Sequence, residues 1–386
     1  MVRGGSSSRN RFVTSGMLGL PSRFNRRDAS GYAFMTEPAT NHVAEAAEPP
    51  WLSVVMPVYN GDQFLAAALE SVVAQGDAVR GIEIIAVDDG SIDRSGGILE
   101  DFGRRLPLRV VRPGRLGNWV AATNRGLSEC RAPWCCFLHQ DDRWLPGRLA
   151  AVSQAIADYP HASLVVHPSW FIDSRGKRVG RWRTPFGSRE GLIDGRGFWE
   201  RLLVQNSLAI NAPVFRTARV LETGGLDEAL TYTADWDLWL RLAEAGPAAH
   251  CGIPLGEFRI HGEAQTAACL PETMRRELEK VFDQHRLGHG GWPRASGPVE
   301  AAGRYSIEVN VALAGWFHGG RPPWLRLIAD WLRLGPAGWR RYLRDSRIID
   351  RVGARLRARL ASRRATARDQ PAATSTDGSS VGSVRG

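Results

Sequence analysis

Four short apolar runs, at 51–60, 82–87, 108–111 and 134–138, alternate with stretches of helical spacing, and this alternation constrains the fold more than any other feature. Residues 62–74 bring Phe64, Leu65, Ala68, Leu69, Val72 and Val73 to one face, and a Gly-rich turn leads into a second helix near 118–129. Strand, helix, strand, helix, strand predicts an α/β fold: a Rossmann-like parallel central sheet with helices on both faces. Ligands of such sheets bind beyond the carboxyl ends of the strands. Two of those ends carry adjacent acids, Asp88-Asp89 and Asp141-Asp142. Like charges gathered at one crevice repel, and a divalent cation with hard oxygen ligands relieves them.

Several chemistries are excluded early. No G-x-G-x-x-G follows the first strand, no G-x-x-x-x-G-K-[ST] occurs, and the one G-x-S-x-G string, at 378–382, lies in the Ser/Gly-rich tail and not at a strand-to-helix elbow, which argues against dinucleotide, P-loop and serine-hydrolase sites. The five cysteines (Cys130, Cys135, Cys136, Cys251, Cys269) lack C-x-x-C or Cys/His ligand spacing and read as reduced thiols. No window of about 18 uninterrupted apolar residues offers a membrane span. The net charge of +10 is unevenly spread. Residues 1–36 carry +5 and residues 321–368 carry +11, so residues 37–320 are acidic at −5. A basic chain invites a nucleic-acid-binding reading, but the expected folded region is the acidic part.

Composition divides the chain. Residues 1–50, rich in Ser, Gly, Arg and Pro, read as disordered; their Arg-rich, acid-poor start has transit-peptide character, and Met17 and Met35 offer alternative starts. Beyond 150 the runs 164–167 and 169–172 stand beside Asp173-Ser174-Arg175-Gly176-Lys177, a hairpin turn, and 235–245 form a helix. Residues 271–364 form a helical, Arg-rich extension. Within it, 324–334 present Trp324, Leu327, Ile328 and Trp331, and 347–364 present Ile348, Val352, Leu356 and Leu360, as apolar faces opposite arginine. Residues 365–386 read as a disordered tail.

Seven blocks in order carry a resemblance: VVMPVYNG (54–61), VDDGS (87–91), GNWVAATNRG (117–126), FLHQDDRWLPGRL (137–149), GGLDEAL (224–230), TADWDLWLRLA (233–243) and FRIHGEAQT (258–266). Together they resemble the inverting glycosyltransferases of family 2, nucleotide-sugar transferases of GT-A fold, over about residues 51–265, with the catalytic domain expected at 51–270. The resemblance implies Pro57, Val58 and Tyr59 around the base, with Tyr59 stacking on it, and Asp88 or Asp89 accepting from the base imide, which favours a UDP- or dTDP-sugar. Asn118 and Asn124 match the block that closes over the nucleotide, and both also suit turn and cap chemistry. The strand-end pair implies Mn²⁺ or Mg²⁺ on Asp142 first and Asp141 second, with Asp141 also near the ribose, although both also suit helix capping. His139 stands where the family usually has Asp. Asp235, in Thr233-Ala234-Asp235, matches the catalytic base, with Ala234 replacing the family's Glu; Asp237 is the fallback, and Asp235 also suits an N-cap. Arg259 and His261 match an R-x-H block in which the histidine ligates the metal or touches the diphosphate.

The expected reaction is transfer of one sugar to a hydroxyl acceptor, a glycan or a lipid-linked glycan, in cell-surface glycan synthesis. The one Q-x-x-R-W string, Gln140–Trp144, lies in the acidic strand-end block, and none follows Asp235 as in processive synthases. Residues 321–364 suggest either a peripheral membrane contact or helices packed on the catalytic domain, so the expected location is cytoplasmic, at the inner face of the membrane in the first case. The losses at His139 and Ala234 keep a second reading open, an inactive glycosyltransferase-like binding module.

Overall fold

The computed structural model describes residues 49–262, 269–288 and 292–369, with side chains as far as residue 360. The expectation of disorder for 1–50 falls almost wholly outside these residues, as does most of the expected tail.

The strands are β1 (Leu52–Val58), β2 (Ile82–Asp88), β3 (Leu108–Val111), β4 (Trp134–Phe137), β5 (Arg143–Trp144), β6 (Leu164–Val166), β7 (Ser169–Ile172), β8 (Arg178–Trp182), β9 (Gly191–Ile193), β10 (Val214–Arg216), β11 (Ala248–His250) and β12 (Gly256–Arg259). Eight form a central sheet in the order β3-β2-β1-β4-β10-β6-β11-β9. β1, β2, β3 and β4 run parallel, while β10 lies antiparallel between β4 and β6. The chain leaves β1 toward β2 and β3, then returns to add β4 on the other side of β1. That reversal opens a crevice beyond the strand ends.

Every residue of β1 and β2 is buried, as expected for parallel strands covered on both faces. Strand alternation sorts their side chains into two cores. Leu52, Val54, Met56 and Val58 enter one with Ile84, Ala86 and Cys136; Val55 enters the other with Ile85, Val87, Cys135 and Phe137. The first core is closed by the helices α1 (Leu65–Val73), α2 (Ser95–Gly103) and α4 (Arg148–Asp158), through Leu65, Leu69, Leu99, Phe102, Leu149 and Val152. The second is closed by α3 (Trp119–Leu127), α5 (Gly195–Val204) and α7 (Ala234–Glu244), with the short α6 (Thr217–Glu222) at its margin.

A smaller sheet, β5-β12-β7-β8, stands beside the crevice. The turn at 173–177 joins β7 to the antiparallel β8, with Asp173 Oδ1 accepting from the N–H groups of Arg175 and Lys177. The run at 164–166 belongs to the central sheet instead.

Four helices follow: α8 (Pro271–His285), α9 (Gly297–Phe317), α10 (Trp324–Asp345), broken at Gly335-Pro336, and α11 (Ile348–Asp369), which continues past the expected end of the helical extension. α8 and α9 are not an appendage. Met274, Leu278, Val281, Phe282, Val299, Ala302 and Ile307 share the second core with α5 and α7. α11 corrects the sequence expectation. The face it buries holds Arg351, Ala354 and Ala358, whereas of the expected residues Ile348, Val352 and Leu356 are half-buried and Leu360 is exposed. The cause is Gly180 on β8: a Cβ there would come within 2.9 Å of the Ala354 Cβ, so a bare backbone and a small side chain let helix and strand approach closely. α10 divides its expected face, burying Leu327 and exposing Trp324, Leu325, Ile328 and Leu332. Among the described residues no helix is long and apolar enough to cross a membrane.

Candidate active site

The ends of β1 and β4 are latched together. The Tyr59 N–H donates to Gln140 Oε1 at 2.9 Å, and Gln140 Nε2 donates back to the Tyr59 carbonyl at 3.1 Å. Asn60 takes a left-handed φ of +44°, which asparagine tolerates better than most residues; its N–H donates to Ser91 Oγ, and its Oδ1 accepts from the Ile92 N–H. With these loops fixed, Pro57, Val58, Tyr59, Asp89, Asn118 and Asp141 line a crevice of about 370 Å³ together with Asp235 and His261.

Not every expected residue reaches it. Asp88 is buried, with Oδ1 accepting from the Ser91 N–H, while Asp89 is turned toward the crevice. Successive side chains at a strand end point to opposite sides, so only one acid of the pair serves the cavity. Asp89 accepts from the N–H groups of Leu116 and Gly117 and pairs with the Arg115 guanidinium, which lies 3.6 Å from the centre of the Tyr59 ring. Asn118 caps α3, accepting from the Val120 N–H at 2.9 Å. Asn124 faces elsewhere: its amide grips the 224–230 loop through Leu226 and Glu228.

The Asp141-Asp142 pair is divided in the same way, against the expected order of metal ligands. Asp142 is 1% exposed and does not line the crevice. Its Oδ1 accepts from the Arg259 N–H at 3.0 Å, its Oδ2 has no partner among the described residues, and burial with the nearby Asp141 charge pushes its pKa well up. Asp141 faces the crevice, its Oδ2 2.9 Å from His261 Nε2. Burial pushes the Asp141 pKa up, but the His261 hydrogen bond and the neighbouring imidazoles outweigh it and hold the group below the usual carboxylate range. Arg259 ties the motif together, with Nε donating to the Asp141 carbonyl at 2.7 Å and Nη1 to the Asp173 carbonyl at 3.0 Å. His139 packs edge-on to Trp119, and burial keeps it below the ordinary imidazole range against the pull of Asp141.

Asp235 sits in the first turn of α7, where Thr233, not Asp235, occupies the N-cap position. Its Oδ2 accepts from Asn206 Nδ2 at 2.9 Å and its Oδ1 from the Trp236 N–H at 2.8 Å. Burial raises its pKa to about 6, against these two hydrogen bonds. It makes no ion pair with any described cation. Asp237 differs: it is buried between Arg241 and His285, and although burial opposes it, those partners hold its pKa below the ordinary value. A carboxylate so committed is no base.

Three residues without an expected role stand at or near this acid, and two of them position it. Asn206 holds it directly. Glu277 of α8, 4% exposed, accepts from the N–H groups of Thr231, Tyr232 and Thr233 and from both threonine hydroxyls, fixing the loop that leads into α7. Its one signal in the sequence is that an acid interrupts the apolar face Met274, Leu278, Val281, Phe282. Arg351 of α11 reaches the crevice from the opposite end of the chain.

With this geometry in view, comparison with known proteins is informative. An uncharacterized glycosyltransferase of Rickettsia typhi is 26% identical over 247 residues, covering 62% of this chain and 74% of that protein. The O-antigen biosynthesis protein RfbC of Myxococcus xanthus is 28% identical over 302 residues, 76% of this chain but 22% of that longer protein. The crystal structure of S. aureus TarS residues 1–349 in complex with UDP-GlcNAc superposes with a TM-score of 0.54 at 16% identity, covering 82% of this chain and 91% of that one. The fold is therefore of the GT-A type. Residues 53–215, from β1 through β10, match the family model for glycosyl transferase family 2.

Proposed function

We propose that the chain transfers a single sugar, with inversion, from a UDP- or dTDP-sugar to the hydroxyl of a glycan or lipid-linked acceptor. The observation that carries this reading is Asp235: a carboxylate in the crevice, unpaired with any described cation, with a pKa of about 6. Such a group is ionised at neutral pH yet basic enough to accept a proton. The donor base would stack on Tyr59 with its imide N–H toward Asp89, taking the place Arg115 now holds. Asp235 would remove the proton from the acceptor hydroxyl as that oxygen bonds to the anomeric carbon. The bond from that carbon to the diphosphate oxygen breaks on the other face, and the configuration inverts.

Asp141 Oδ2 and His261 Nε2 meet within the crevice, although no group of three His, Cys, Asp or Glu side chains gathers among the described residues. Asp141 and His261, one carboxylate and one imidazole, would hold a Mg²⁺ or Mn²⁺ ion. When bound, that ion neutralises diphosphate charge as a Lewis acid. Asp142 is left as the anchor of the Arg259 backbone.

An acceptor at a membrane surface is supported by the exposed Trp324, Leu325, Ile328 and Leu332 on α10, beside Arg321, Arg326 and Arg333. A role in cell-surface glycan synthesis is supported by the relative named for O-antigen biosynthesis. The test is thermal unfolding with UDP, dTDP, GDP and ADP, each with and without Mn²⁺. A ligand at about 100 times its dissociation constant adds roughly 2.7 kcal/mol. A Mn²⁺-dependent rise with one diphosphate, lost in Asp141→Ala, is expected. No rise with any of the four would favour the inactive-module reading.

A further inference from the structure

Beside the crevice lies a second chamber of about 430 Å³, whose apolar walls include Phe258, Ile260, Leu313, Phe317 and Ala358. The two cavities share Tyr232, Phe258, His261 and Arg355, so each opens on the same group of side chains. Arg351, one helical turn before Arg355 on α11, lines the crevice.

Neither arginine forms an ion pair among the described residues, although the Asp235 carboxylate is near enough to Arg351 to favour its charge. Arg351 is 5% exposed, and its Nε and Nη1 have no hydrogen-bond partner among the described residues. It forms no ion pair with Asp235, whose Oδ2 is engaged by Asn206. Arg355 is half-buried and likewise meets no described carboxylate within ion-pair distance. A guanidinium does not shed its proton to escape burial, as lysine does, so an unpaired buried arginine is a standing demand for an anion. Burial, with the like charge of Arg355, lowers the Arg351 pKa to about 10, which still leaves it charged at neutral pH. The close packing of Ala354 against Gly180 fixes the helix that carries both residues, so neither can retreat into solvent by a shift of α11 alone.

We infer that Arg351 and Arg355 form a binding site for a phosphate group of the acceptor, whose apolar portion occupies the adjoining chamber. The acceptor class is then a lipid-linked phosphate, with the phosphate held where the two cavities meet. This assignment rests on the crevice being the site of sugar transfer. The same pair could instead receive the diphosphate of the donor, and the experiment separates the two sources.

Binding of decyl phosphate, decanol and UDP is measured by calorimetry on the full chain, below the micellar range, for the parent protein and for Arg351→Gln and Arg355→Gln. Decyl phosphate is expected to bind at least about tenfold more tightly than decanol, and each substitution to remove about tenfold of that affinity while leaving UDP binding unchanged. Parallel weakening of UDP and decyl phosphate overturns the assignment in favour of the donor diphosphate. Equal affinity for decyl phosphate and decanol shows that no anion site exists. The unfolding temperature of ligand-free Arg351→Gln is expected to match or exceed that of the parent, and a fall would mean that Arg351 is structural. The half-buried Arg355→Gln keeps the test open if Arg351→Gln does not fold. Loss of UDP binding in the parent, with decyl phosphate still bound, would count against the transfer reading and not against the phosphate site.

Discussion

The crevice wall that carries Tyr59, Asp89 and Asp141 and the wall that carries Asp235, Arg351 and Arg355 are assembled in different ways. The first consists of residues in the loops that follow β1, β2 and β4, three neighbouring parallel strands, and these loops are bonded to one another, Tyr59 to Gln140 and Asn60 to Ser91. The second is drawn from α7 and α11, and its acid is held by Asn206 and by the Glu277 clamp on the preceding loop. A wall made of strand ends is the same wherever the sheet occurs. A wall made of helices from distant parts of the chain is free to differ, and in the proposed function it is the one that faces the acceptor.

Three substitutions probe that division, beginning with the largest effect. Asp235→Asn is expected to lower turnover, measured as release of diphosphate from the donor, by about 100- to 10,000-fold while UDP affinity stays constant. In the parent protein, activity is expected to fall as pH drops through about 6, as Asp235 gains a proton and would cease to be a base; the variant should lack that limb. Stability follows the opposite sign. The folded-state pKa of about 6 lies above the unfolded value near 4, so the protonated form favours folding, and that contribution is lost as pH rises through 6. Asp235→Asn should therefore unfold at a higher temperature than the parent at pH 8, and the gap should close toward pH 4. A variant that loses UDP binding as well would unite the two walls into one site.

Glu277→Ala leaves three backbone N–H groups without their acceptor, at a cost of about 1–3 kcal/mol in stability. With the loop before α7 released, turnover should drop about tenfold through kcat, since proximity effects depend on placement of the acid. Steady UDP affinity in the same variant would sharpen the division; a parallel loss would erase it. Tyr59→Ala tests the first wall alone. Its ring is 41% exposed, so the unfolding temperature should hardly change, but loss of base stacking should weaken UDP about tenfold by titration. An unchanged UDP affinity would remove Tyr59 from the base pocket.

The two walls were not equally legible. The strand ends, the alternation of the elements and the placing of Asp235 over Asp237 followed from periodicity and from the ordered blocks. Which member of an adjacent acidic pair faces the crevice did not. Asp88 and Asp142 stand beside Asp89 and Asp141, and the choice depends on where each strand stops alternating and its loop begins. Asn124 sat in the right block yet is claimed by the 224–230 loop, a contact across about a hundred residues of sequence that no local pattern encodes. On α11 the spacing of Ile348, Val352, Leu356 and Leu360 marked a face that is only half-buried, because a glycine on β8 made alanine, and an arginine beside it, the better fit. The general lesson is that periodicity reports what a helix is able to bury, while the partner surface decides what it does bury.

The Glu277 clamp also bears on the order in which the molecule becomes competent. During synthesis β1 through β4 leave the ribosome long before α8, and domains tend to form as their parts emerge. Tyr59 and Asp89 have their latches once the chain has passed Gln140, Asp141 gains its own only with Arg259 and His261, and the loop before Asp235 is anchored last, after residue 277 is out. A nascent chain would thus be able to engage a nucleotide before it can activate an acceptor.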